Sequence, residues 1–83
     1  MNIVTWNYRI LEREYTDGTK WLGIYEVYYD DEGNPQYCSS MPVALYGDNL
    51  EDIAGDLQHM IEAISKPTLL YSDFVKREEV TDV

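Results

Sequence analysis

The stretch TWNYRILEREYTDGTKWLGIYEVYYD, residues 5–30, decides the fold. In its first half Trp6, Tyr8 and Ile10 fall on one side and Asn7, Arg9, Leu11 and Arg13 on the other, the period-2 pattern of a strand. In its second half Leu22, Ile24, Glu26 and Tyr28 oppose Trp21, Tyr25, Val27 and Tyr29. Both faces then carry large apolar side chains, which suits the middle of a sheet. Asp17-Gly18 between the halves predicts a hairpin, because glycine takes a positive φ at little cost. Gly23 marks a bulge or a close backbone approach.

Working outward, Asp30-Asp31-Glu32-Gly33-Asn34-Pro35 is dense turn chemistry and predicts a second reversal. A third strand over residues 36–46 contains Pro42, which lacks a ladder donor and points to a broken edge strand. Leu50, Ile53, Ala54, Leu57, Ile61 and Ile64 then fall on one helical stripe. Asp48 and Glu51 read as a capping box, and Pro67 closes the helix. A short last strand is expected over residues 68–71. The order β-β-β-α-β predicts an α+β domain: an antiparallel three- to four-stranded, curved sheet with one amphipathic helix packed on one face. Residues 1–74 form that single domain, and residues 75–83 a flexible acidic C-terminal tail.

Composition narrows the function. Six Lys and Arg stand against sixteen Asp and Glu, a net charge of -10, and each half of the chain shares the acidic excess. Such a field disfavours direct binding to nucleic acid or anionic membranes. Cys38 is the single cysteine, so one chain forms no disulfide and no cysteine-based zinc site, and no apolar run is long enough for a membrane span. A cytoplasmic protein without an export leader is expected.

No nucleophile with a base, paired-carboxylate site or metal cluster is recognisable, so no enzyme, cofactor or metal is expected. His59 lies on the helix away from its apolar stripe, as an exposed histidine does. Cys38 has no basic neighbour in sequence to lower its pKa and reads as a small packing residue. Asp30, Asp31 and Glu32 lack the spacing of a helix-flanked calcium loop.

Gly47-Asp48-Asn49-Leu50-Glu51-Asp52-Ile53-Ala54, following three strands, resembles the G-D-(T/N)-L-E-E-A helix start of HicB-like antitoxin domains. That resemblance implies a β-β-β-α-β fold; the turn of Pro-Gly-Cys type ahead of the family's helix is absent here. Trp6-Asn7-Tyr8-Arg9 together with Glu26-Val27-Tyr28-Tyr29-Asp30-Asp31-Glu32-Gly33-Asn34-Pro35 is similar to small uncharacterised bacterial proteins with an E-V-Y-Y-D-x-x-G-x-P signature. The second resemblance implies no activity.

The expectation is a non-enzymatic, acidic protein-interaction module, inhibitor- or antitoxin-like, that binds a protein partner or a second copy as a homodimer. One helix covers one sheet face, so the aromatic set on the other face, or a free strand edge, is left for the partner. The expected contact surface is Arg9, Arg13, Trp21, Tyr25 and Tyr29; with the faces reversed, Trp6, Tyr8 and Tyr28 inherit the role. Cross-strand pairing that merely stabilises the sheet accounts for the same aromatics. The alternative is a nucleic-acid mimic of the anti-defence type that blocks a DNA- or RNA-binding enzyme. Its carboxylates would be Asp30, Asp31, Glu32, Glu51, Asp52, Asp56 and Glu62, although a solvated helix face is the usual explanation of the last four.

Overall fold

The computed structural model describes residues 3–76. Strand β1 (Ile3–Glu14) and strand β2 (Lys20–Asp30) form the expected hairpin, with Arg9 opposite Tyr25, Leu11 opposite Gly23 and Ile10 opposite Ile24. At the turn, Tyr15 N–H donates to the Thr19 carbonyl (2.8 Å) and Gly18 adopts φ +88°. Asp17 Oδ1 accepts from Thr19 N–H and Thr19 Oγ1, which holds the exposed Asp17 carboxyl below its ordinary pKa.

Strand β3 (Pro35–Cys38) is far shorter than the expected run over residues 36–46. Past Cys38 the chain still follows β2, with Ser39 N–H on the Glu26 carbonyl and Val43 N–H on the Ile24 carbonyl, but Pro42 lies over Gly23 and the ladder stops. Gly23 is therefore a close-approach glycine: a Cβ there would stand 3.1 Å from the Tyr25 ring and 3.5 Å from Pro42.

Helix α1 (Leu50–Ile64) begins one residue later than the expected Asp48 cap. Asn49 is the N-cap, its side chain accepting from Asp52 N–H at 2.9 Å, and Glu51 and Asp52 occupy the first turn, where the helix dipole favours them. After Pro67 come strand β4 (Leu69–Leu70), a 3-10 turn (Tyr71–Asp73) and strand β5 (Val75–Lys76).

The sheet order is β4-β1-β2-β3-β5. It is mixed, which corrects the expected all-antiparallel sheet: β4 runs parallel to β1, and β5 parallel to β3. The reason is topological, since β3 and β4 run in one direction and α1 makes the return between them. The expected tail over residues 75–83 begins instead with a paired strand, and its remainder lies outside the described residues.

The last segment also explains the curvature. A flat five-stranded sheet would separate β4 from β5 by roughly 19 Å, four spacings of about 4.8 Å. Leu70 to Val75 is only five steps, which reach at most about 18 Å fully extended. A 3-10 turn within them shortens that reach, so the sheet curls its two edges toward each other around the strap that joins them.

The core lies inside that curl. Leu11, Tyr25, Val27 and Cys38 project from β1–β3 and are fully buried with Phe74 from the strap, while Tyr29, Leu69 and Tyr71 pack around them. Met60 and Ala63 of the helix are buried outside this cluster, on the sheet's other face. Leu11→Ala should therefore cost about 2–5 kcal/mol in a denaturant melt. Leu57→Ala, on the helix flank that stays exposed, should cost less than about 1 kcal/mol. Gly18→Val should cost about 1–2 kcal/mol through backbone strain alone, because no atom lies within 4 Å of the added Cβ.

Candidate functional site

Of the five residues expected to form an open contact surface, Tyr25 is buried and Arg9, Arg13 and Tyr29 are half-buried and engaged within the chain. Tyr25 is 1% exposed, with its ring 5.4 Å from that of Tyr71. Arg13 stands over the Tyr71 ring at 4.1 Å and donates to the Ser40 carbonyl, which Tyr71 Oη also reaches at 2.8 Å. Arg9 donates to Tyr29 Oη (3.0 Å) and to the Pro67 carbonyl (2.8 Å), and Tyr29 Oη donates to Asn7. These side chains clamp the strap and the end of the helix to the sheet. Only Trp21, 67% exposed at the hairpin end, remains open. The strap occupies the face that one helix could not cover, so Tyr25 is a core residue and Arg9, Arg13 and Tyr29 make contacts within the chain in place of an open surface.

The acidic residues are scattered rather than aligned. Asp30 is buried: Oδ1 accepts from Glu32 N–H and Asn34 N–H, both at 2.9 Å, and Oδ2 accepts from Gln36. Its carboxylate holds the turn and does not present a charge to a partner. Asp56 is half-buried under the helix, whereas Asp31, Glu32, Glu51, Asp52 and Glu62 are exposed. Among the described residues no group of three or more potential ligands could hold a metal ion.

The helix lies on the face of Trp6, Tyr8, Glu26 and Tyr28. Trp6 and Tyr8 meet edge to face at 5.2 Å, and Tyr28 Oη donates to Glu26. Burial raises the Tyr8 phenol above its ordinary 10.0, and the nearby Asp56 and Glu26 carboxylates raise it further. His59, Glu62 and Lys66 line a cleft of about 320 Å³ with Trp6, Asn7 and Tyr8, and so form the flank turned toward Trp6.

That placement leaves the helix rotated from its expected seat. Ile53, Asp56, Met60 and Ala63 face the sheet, while Leu50 (83%), Leu57 (43%), Ile61 (59%) and Ile64 (68%) stay exposed on a flank about 100° around from them. With Ala54, this flank repeats apolar residues at steps of 4, 3, 4 and 3, the seam spacing of a coiled coil. It points away from Trp6, toward the sheet end where Leu70, Glu12 and Leu22 stand in register. Leu70 and Leu22 are exposed there as well. The periodicity of this stripe is legible in the sequence; that the stripe lies beside the buried seat rather than in it is not.

No family model, curated protein or solved structure matches this chain. What the site offers chemically is apolar contact area bordered by carboxylates. The described residues lie in no helix long and apolar enough to cross a membrane.

Burial also raises the Tyr25 phenol, against the pull of Arg13. A phenol with a raised folded pKa contributes its stability below the unfolded value of 10.0 and loses it as pH rises through the folded one. Tyrosinate absorbance should therefore contain a late fraction, contributed by Tyr8 and Tyr25, that ionises above 10.0. Tyr25→Phe should remove part of that late fraction, and alkaline unfolding should accompany its ionisation.

Proposed function

We propose that this chain is a non-enzymatic, acidic protein-interaction module whose binding surface is the uncovered helix flank and the adjoining end of the sheet. The observation that carries the reading is the exposure of Leu50, Leu57, Ile61 and Ile64 together on one flank, continued by Leu70 and Leu22. Scattered exposed aliphatics are ordinary, but a contiguous row on the most regular element of so small a domain marks a contact surface. A face of this kind binds through apolar area, while the net charge of -10 sets which partners approach quickly. The aromatic sheet face first expected to serve is occupied by the chain's own strap, so the role moves to the opposite side of the molecule.

Capture from lysate of the source cells tests the reading with three forms of the full chain: unaltered, Leu57→Asp with Ile61→Asp, and Trp21→Ala. A protein retained stoichiometrically by the first and third forms, and at least about tenfold less by the second, is the expected result. Equal retention by all three, with helical circular dichroism unchanged, would remove the helix flank from the proposal.

A further inference from the structure

We infer that the occupant of the exposed helix flank is a cationic amphipathic helix of a partner protein. The inference rests on the interaction reading above and adds the shape and charge of what binds.

The seam spacing indicates a helix. Leu50, Ala54, Leu57, Ile61 and Ile64 follow the 4-3 alternation that lets a second helix insert side chains between them. A strand or a flat loop would have no use for a row that keeps this period over the full 15 residues of α1. At a rise of about 1.5 Å per residue the seam is about 22 Å long, enough for roughly four turns of a partner. Leu70 and Leu22, exposed and in register through Glu12, add apolar area at the end of the sheet.

The charges named beside this flank and the sheet end are acidic but for Lys20, which stands in register with Glu14. Glu51 borders the helix seam on its solvent side, and Glu12 stands between Leu70 and Leu22, with Glu14 beyond it opposite Lys20. Arg9 is engaged with Tyr29 and the Pro67 carbonyl, Arg13 with Ser40 and Tyr71, and Lys66 lies on the flank turned to Trp6. A second copy would bring another body of charge -10 against this rim. A helix with leucine-like residues on one face and lysine or arginine on the other complements both the seam and its border.

The probe is a synthetic helix of about 21 residues with Leu at 4-3 spacing and Lys elsewhere, titrated into the full chain and followed by amide chemical shifts. A composition-matched peptide with the Leu positions scrambled, and a Leu/Glu peptide of the same seam, serve as controls. Expected is saturable 1:1 binding that shifts residues of α1 and the Leu22 and Leu70 region. It should be at least about tenfold tighter than for the scrambled peptide, and weaker as salt rises from about 50 to about 500 mM. Leu57→Asp with Ile61→Asp should weaken it at least about tenfold, and the more exposed Ile64→Ser, which threatens the fold least, should weaken it in the same direction.

Equal affinity for the scrambled peptide, or no binding, overturns the inference. So does a dimer in sedimentation at about 10 μM that Leu57→Asp with Ile61→Asp dissociates, since a second copy would then cover the flank. If lysate capture depends on the flank while the cationic helix fails to bind, only the cationic-helix inference falls. If capture ignores the flank, the interaction reading falls with it.

Discussion

The register of the β1–β2 hairpin governs everything else in this molecule. Because side chains alternate across a strand, one residue of slip would send Leu11, Tyr25 and Val27 to the opposite face and empty the core. Two features hold the register at its ends: the Gly18 turn with its Asp17–Thr19 bonds, and the Asp30 carboxylate, which ties the following loop through two backbone N–H groups and Gln36. Gly23 matters in the same way from within, since a Cβ there would stand 3.1 Å from the Tyr25 ring and press it aside by a few tenths of an ångström.

With the hairpin fixed, the two faces receive different covers. Residues 71–74 cross the face of Tyr25 and Val27; Arg13 holds the crossing by stacking on Tyr71, and Arg9 ties down the chain ahead of it through the Pro67 carbonyl. That face becomes the tightly closed interior. The other face carries Tyr8, Glu26 and Tyr28 and receives the helix flank of Ile53, Asp56, Met60 and Ala63. Leu50, Leu57, Ile61 and Ile64 are turned aside, so the helix keeps a second surface available.

This arrangement separates the parts that keep the domain folded from those that can meet another molecule. The buried Asp30 and the strap clamp serve the fold, while exposed carboxylates surround the helix. A charge of -10 keeps such a chain dispersed despite its exposed aliphatics and speeds the approach of a basic partner.

The local elements were legible from residue order alone: the hairpin and its glycine turn, a helix bounded by an Asn or Asp start and Pro67, and a short strand after it. Each follows from period, turn chemistry or capping, which act within a few residues. The start of the helix shifted by one residue, from Asp48 to Asn49, because both side chains can cap and only the path of the preceding loop selects between them. Three things belonged to the tertiary structure: the parallel pairing of β4 and β5, the crossing of the strap over the aromatic face, and the rotation of the helix away from its apolar stripe. A stripe of Leu and Ile states that a helix flank wants to be covered, but not by what. Here the strap fills one face of the sheet and the helix seats Ile53, Asp56, Met60 and Ala63 on the other, a long-range placement that a periodicity acting within a few residues does not encode.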